Sequence, residues 1–363
     1  MPLSRVYPAN YTELLAEKCT RVAALFAPFA APEPEVFAST PTSFRMRAEF
    51  RIWHEGDDLN YVMFRPEDPA TPVPIERFPI ASERIQQLMP VLRDTLKGNE
   101  VLRHRLFQVE FLSTRSGDTL VTLIYHRKLL EDWEAEAKLL ATQLDVSIVG
   151  RSRKQKVVIG SDYVQEMLPV EGRDFSYRQY EQAFTQPNAG VNISMLAWAC
   201  RRAATVDGDL LELYCGNGNF TLPLARHFDN VIATELAKTS TRAARENMAA
   251  NAVDNVQVIR LSAAEVTEAL AGERVFRRLA ELPKPLGDYD LRTLFVDPPR
   301  AGLDEDTLQM ATTFPAVIYI SCNPQSLAEN LKVLCRTHRI ASFALFDQFP
   351  YTDHMECGVF LLK

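Results

Sequence analysis

The chain has 363 residues, of which 47% are hydrophobic and 24% charged, with a net charge of −7. That length has room for two domains and a sizeable core, and the composition is ordinary for a soluble globular enzyme. No apolar run approaches the roughly 20 residues of a membrane helix, the six cysteines form no CxxC or Cys/His cluster, and the acidic balance is a weak argument against nucleic-acid binding, which favours basic domains.

Met1 to Asn10 contains no apolar h-region, so no secretory signal is expected, and the scattered thiols fit a reduced, cytoplasmic setting without metal or iron–sulfur cluster. Asn10-Tyr11-Thr12-Glu13 reads as a capping box opening a helix. Leu14, Leu15, Lys18, Cys19, Val22, Leu25 and Phe26 fall mostly on one of its faces. A proline-rich connector follows, from Pro28 to Pro34. From Thr42 to Trp53 the residues alternate strictly, the pattern of a half-buried strand. Phe44, Met46, Ala48, Phe50 and Ile52 point one way; Arg45, Arg47, Glu49, Arg51 and Trp53 point the other. A turn at 54–58 makes this a hairpin. Such a charged row is either a solvated strand face or a grip on phosphates.

Residues 66–80 read as a proline-rich loop. Ser82 caps a helix to Leu96 with Ile85, Leu88, Met89 and Leu92 inward, and Pro90 is expected to kink it. A second hairpin spans 106–114 and 119–128. A turn centred on Ser116-Gly117 makes paired residues sum to 233, which sets Phe107 opposite His126. Arg103, His104, Arg105, Arg127 and Lys128 flank that pair. An aromatic–imidazole pair rimmed by cations suits unstacked bases; an ordinary edge-strand pair is the plain alternative. Residues 129–144 read as an amphipathic helix, and Arg151, Arg153, Lys154 and Lys156 form the densest basic run.

From about Phe184 strands and helices alternate. Helices are expected at 188–204, from the glycine loop to His227, and up to Asn251. Strands are expected at 210–214, 231–234, 256–261, 294–296 and 316–320, with a closing pair at 340–346 and 357–362. Residues 272–290 are a connection. This is the texture of a doubly wound α/β sheet.

Three strand ends in this half carry chemistry. Gly216 and Gly218 follow the first strand, where glycine lets the backbone approach a ligand and the next helix offers its positive end. Glu235 ends the second strand and can accept both hydroxyls of a ribose. Thr221 stands where a dinucleotide motif has a third glycine, so a single nucleoside such as S-adenosylmethionine fits better than NAD. Asp297-Pro298-Pro299-Arg300 ends the fourth strand as a rigid loop whose acid can hold an amine or a base edge. Adenine amino-methyltransferases have an aromatic residue where Arg300 stands. Cys322, at the end of the fifth strand, is placed as a nucleophile. A thiolate adding to carbon 6 of a pyrimidine makes carbon 5 nucleophilic, and the carbon-5 proton then needs a base, for which Glu356 is placed. Cys215 and Cys357 read as packing residues.

These segments, ELYCGNGNF at 212–220, FVDPPR at 295–300, YISCNP at 319–324 and HMECG at 354–358, resemble the RNA uracil-5-methyltransferase family. RMRAEFRIW at 45–53, FTQPN at 184–188 and FDQFPY at 346–351 extend the likeness to its tRNA branch and to nearly the whole chain. The resemblance implies methylation of uridine 54 in the T-arm loop of tRNA, with no membrane and no obligate protein partner. It implies Cys322 as nucleophile and Glu356 as base, and Gln186, Tyr214, Asn219, Glu235 and Asp297, beside Gly216, around S-adenosylmethionine. On it the fold class is α/β: a mixed α+β RNA-binding domain over 1–178, with Arg45, Arg47, Glu49, Arg51, Phe107 and His126 at the RNA, and a Rossmann-like class I methyltransferase domain over 179–363. Ribosomal-RNA relatives carry a cysteine cluster and an extra N-terminal barrel, which this chain lacks. Two rivals are a cytosine-5 methyltransferase, whose nucleophile commonly follows a proline, and an RNA chaperone.

Overall fold

The computed structural model describes residues 6–363. It divides into two compact units. Among the described residues the first comprises 6–8, 40–167 and 178–189, and the second 9–39, 168–177 and 190–363. A single cut at 178/179 is therefore corrected. The reason is packing: helix Tyr11–Ala24 buries Tyr11, Leu15, Lys18 and Val22, and its apolar residues join the core of the C-terminal sheet. Glu35–Phe37, just past the expected connector, pairs in parallel with Arg339–Phe346. Asn10 precedes that first helix, but its side chain makes no capping bond.

The second unit is built on an eight-stranded sheet. Its order is Glu35–Phe37, Arg339–Phe346, Glu356–Leu362, Ala316–Ser321, Leu291–Val296, Asp209–Leu213, Val231–Thr234 and Val256–Ile259. The five strands from Ala316–Ser321 to Val256–Ile259 run parallel. Val317, Ile318, Tyr319 and Ile320 are wholly buried, as expected where helices cover both faces and apolar runs need no alternation. Glu356–Leu362 is antiparallel to both of its neighbours, with Ser321 opposite Cys357. Gly358 sits in that strand where a Cβ would come within 3.0 Å of Trp198 and 3.1 Å of Phe346, so only glycine fits unchanged. Helices at Ala263–Leu270, Glu305–Ala311 and Pro324–Leu334 complete the layers. This is the α/β fold with a mixed sheet.

The first unit carries a seven-stranded sheet. Arg47–Glu55 pairs with Asp58–Arg65 and with Leu106–Ser113. Asp68–Pro74, expected as loop, is an edge strand on Asp58–Arg65, where prolines are tolerated because no ladder donor is needed. Helix Glu83–Gly98 opens on Ser82, whose Oγ accepts from the Ile85 amide at 3.3 Å. The second hairpin's pairs sum to 232 rather than 233, for example Val109 with Leu123, and a register shift falls between Leu106 and Gln108. That irregularity at Phe107 restores the expected neighbour: the Phe107 and His126 rings stack with centroids 4.1 Å apart.

Candidate active site

Every catalytic candidate of the second unit lies at a strand end. The antiparallel register carries Ser321 opposite Cys357, so one further step sets Cys322 beside Glu356. Asp297 follows the adjacent strand Leu291–Val296, and Tyr214 to Gly216 follow Asp209–Leu213. Asn323 Nδ2 donates to the Arg300 carbonyl at 2.8 Å, which ties the cysteine loop to the Asp297-Pro298-Pro299-Arg300 loop. Asn323 Oδ1 also accepts from the Gln325 amide and caps helix Pro324–Leu334. The cysteine thus stands on a stiff strand-to-helix turn.

Electrostatics binds the three acids of this site together. Glu356 is 3% exposed, and its Oε2 has no hydrogen-bond partner. Burial, with Asp297 nearby, lifts its carboxyl to about 8, against a pull downward from Arg300. Asp297 keeps some contact with solvent but is ringed by protein, which lifts it to about 7. Burial, then Glu356 and Asp297, push the Cys322 thiol up to about 11, with Arg300 opposing. The three groups cannot all ionise in so small a space without a cation among them. The neighbours His354 and Asp353 stay at the surface, Asp353 in an exposed pair with Arg21 at 2.9 Å.

The glycine turn is shaped to admit a ligand. Tyr214 holds φ 61 and Gly216 φ 57, and a Cβ on Gly216 would meet nothing within 4 Å. Glu235 clamps the turn: Oε2 accepts from the Gly216 amide at 3.2 Å and Oε1 from the Ala237 amide at 2.6 Å. Each oxygen retains a lone pair for a ribose hydroxyl. Asn219 is engaged otherwise. Its amide exchanges two 2.9 Å hydrogen bonds with Asn192, and its carbonyl accepts from the Tyr177 hydroxyl at 2.9 Å. Glu212, not singled out in the sequence, is 1% exposed with an unpartnered Oε2, and burial lifts it to about 8. A carboxylate set among Leu210, Leu211 and Leu213 was the available signal. Orphaned acid oxygens beside an open glycine turn suit a cationic nucleoside. Among the described residues no group of three or more His, Cys, Asp or Glu could hold a metal ion. Cys215 and Cys357 are buried in the core.

Gln186 lies half-buried in the segment 178–189 of the first unit. The remaining candidates of that unit form two groups. Arg51 is exposed and its guanidinium lies 3.9 Å from the centre of the Phe107 ring, which stacks on His126. Arg45 and Arg47 are half-buried instead of fully outward. Arg45 Nε donates to the Arg47 carbonyl at 2.8 Å, and Arg47 donates to the Ala183 carbonyl at 3.0 Å and to the Glu181 carbonyl. Glu49 is exposed. Of the basic run, Arg151 makes a two-point ion pair with the buried Glu181 at 2.5 and 2.7 Å, and Lys156 pairs with Asp162 at 2.7 Å. No described helix is long and apolar enough to cross a membrane.

The profile of the family described as tRNA (Uracil-5-)-methyltransferase matches residues 10–363. A relative from Aromatoleum aromaticum, named tRNA/tmRNA (uracil-C(5))-methyltransferase, is 53% identical over 363 residues, covering 100% of this chain and 98% of that protein. One of the same name from Ectopseudomonas mendocina is 56% identical over 354 residues, 98% of this chain and 97% of that protein. The crystal structure of the Pyrococcus abyssi tRNA (uracil-54, C5)-methyltransferase with S-adenosyl-L-homocysteine superposes with a TM-score of 0.73 at 20% identity, over 97% of this chain and 84% of that one. The chain belongs to the tRNA (uracil-5-)-methyltransferase family and is a methyltransferase enzyme.

Proposed function

We propose that this chain methylates carbon 5 of uridine 54 in the T-arm loop of tRNA, with S-adenosylmethionine as donor, through a covalent bond from Cys322 to carbon 6. The observation that carries it is the register that sets Cys322 beside Glu356 at a strand end next to Asp297 and the glycine turn. Glu235 and Asp297, with Tyr214, Gly216 and the turn fixed by Asn219, hold the donor; Gln186 is assigned to the same task. Bound there, S-adenosylmethionine supplies an electrophilic methyl group and a positive charge.

Next to a positive charge Cys322, Asp297 and Glu356 ionise more readily than they do alone. The Cys322 thiolate bonds to carbon 6, and carbon 5 becomes the nucleophile. Once carbon 5 carries the methyl group, Glu356 takes its proton, the carbon 5–carbon 6 double bond re-forms and the bond to sulfur breaks. A carboxylate held up near 8 is a far stronger base than an exposed glutamate, which suits that last step. The first unit supplies the RNA grip. Phe107, His126 and Arg51 form a stacked platform for an unpaired base, and Arg45, Arg47 and Glu49 edge the same strand. Chemistry at a ring face needs the target base out of its stack, and the platform braces what it leaves behind.

The test is incubation of the protein with unmodified tRNA and methyl-labelled S-adenosylmethionine, followed by mass spectrometry of the nucleosides. One 5-methyluridine per tRNA is expected, and none when position 54 is cytidine. Cys322→Ala should give neither product nor adduct. A methyl group on another nucleoside, or product from Cys322→Ala, overturns the proposal. A parallel incubation with tmRNA, which the relatives' names include, reads the breadth of substrate.

A further inference from the structure

Beside the platform of Phe107 and His126 lies a cavity of about 660 Å³, lined by His54, Arg103, His104, Arg105 and Arg127 with Glu100, Val101 and Asp132. The proposed mechanism does not use it. The two acids are spent locally. Each lies in the first turn of a helix, where a carboxylate offsets the positive end, and Asp132 also accepts from the Trp133 amide at 2.8 Å. The arginines are not offset in this way. Arg127 is held by the carbonyls of Val101, His104 and Lys128, none of which carries a formal charge. Arg103 donates to the Gly56 carbonyl at 3.0 Å and stands 3.8 Å from a fully exposed Asp57.

Arg105 is the decisive residue. It is exposed, and its guanidinium has no hydrogen-bond or ion-pair partner among the described residues. Its backbone holds φ 55, a left-handed conformation that costs a non-glycine residue free energy. Three contacts keep the strained stretch in place. The Arg105 carbonyl accepts from the His126 amide at 3.1 Å, the Leu106 carbonyl meets His54 Nε2 at 2.8 Å, and Phe107 stacks on His126. These contacts fix the backbone next to the stacked rings, and that backbone carries a free cation.

We infer that this cavity is a second RNA subsite, which takes a backbone phosphate next to the nucleotide at Phe107 and His126, with Arg105 as its principal cation. The inference rests on the RNA-binding role proposed for the first unit. A phosphate contact of this kind sets position and carries no base sequence. It fixes the strand on one side of the platform, so the neighbouring base can be held out of its stack.

The experiment measures tRNA affinity of the full-length protein against salt for the wild type, Arg105→Gly, Arg105→Lys and Arg93→Ala. Glycine removes the charge and relieves the backbone, so a fold defect is not expected, and thermal melting checks this. Arg105→Gly should flatten the slope of log affinity against log salt by roughly 0.7 to 0.9. The lysine variant should restore most of it. Arg93, paired with Asp94 on the surface, should leave it unchanged. S-adenosylmethionine affinity should match in all four. An unchanged slope in Arg105→Gly overturns the subsite, whereas absence of tRNA binding by the wild type overturns the reading beneath it. Binding of inorganic phosphate that Arg105→Gly abolishes, with tRNA affinity intact, would assign the cavity to a free anion and also overturn the proposal.

Discussion

Replacing Glu356 with glutamine should stabilise the protein, and increasingly so as pH rises. The carboxyl has an ordinary value of 4.5 and stands at about 8 in the fold. The folded state thus holds this proton more tightly than the unfolded chain does. The stability this one group contributes is greatest below pH 4.5 and is lost as pH climbs toward 8, the reverse of an ion-paired acid. At 1.36 kcal/mol per unit the loss integrates to about 4 kcal/mol at pH 8 and under about 1 kcal/mol at pH 5. Glutamine is nearly isosteric and never ionises, so the variant escapes the loss. Its amide meets the same unpartnered surroundings as Oε2 at every pH, which adds only a constant offset. Urea unfolding of both proteins at pH 5, 6, 7 and 8 reads the difference. The variant should gain a few kcal/mol at pH 8 over its difference at pH 5. A difference that does not change with pH would mean that Glu356 is ionised throughout, and the reasoning about its basicity would fail.

Glu356→Gln should still add Cys322 to the ring and accept the methyl group, then stall. A methyl-labelled protein–RNA adduct that survives denaturing electrophoresis is expected, and turnover at the wild-type rate would remove Glu356 as the carbon-5 base. Arg51→Ala strips the cation above Phe107; tRNA affinity should drop several-fold and the salt slope flatten by roughly 0.7 to 0.9, whereas a wild-type slope reduces Arg51 to a surface charge. Lys18 and Asp347 form an almost fully buried pair at 2.6 Å, with the Tyr11 hydroxyl donating to Asp347 at 2.8 Å. Lys18→Met should cost roughly 3 to 5 kcal/mol by leaving a buried charge unpaired, and a loss below about 1 kcal/mol in chemical unfolding would show that Asp347 takes up a proton instead.

The strands of the second unit were legible because a parallel sheet covered on both faces demands unbroken apolar runs, and Ala316–Ser321 is such a run. What escaped depended on partners distant in sequence. Glu35–Phe37 has three residues and no pattern of its own; it is a strand because Arg339–Phe346 offers it an edge. Lys18 was read on the inner face of the first helix, but its ion partner lies 329 residues away. That long-range bond helps place helix Tyr11–Ala24 with the C-terminal sheet, and no local signal announces it. The one-residue error in the second hairpin has the same origin. Turn chemistry suggested a register, while the irregularity at Phe107 was set by stacking on His126 and the cation of Arg51.

The site shows a sharper division. Cys322, Asp297 and Glu356 could be named because each ends or begins a strand, and strand ends are where a sheet presents groups to a ligand. Their charge states could not be read, because burial is a property of the packed molecule. Sequence places a nucleophilic cysteine; in the fold, burial first and then two acids that are themselves raised hold its thiol up. This matters for mechanism. A site whose acids resist ionisation when empty gains most from a cationic partner, so donor binding and thiol activation are linked by the same electrostatics. The link is reciprocal: S-adenosylmethionine should lower the apparent pKa of Cys322, and ionising Cys322 should tighten the donor. Thiol-specific alkylation of Cys322 should accordingly quicken when donor is added at constant pH. In a Cys322→Ala protein the donor's affinity should lose that part of its pH dependence.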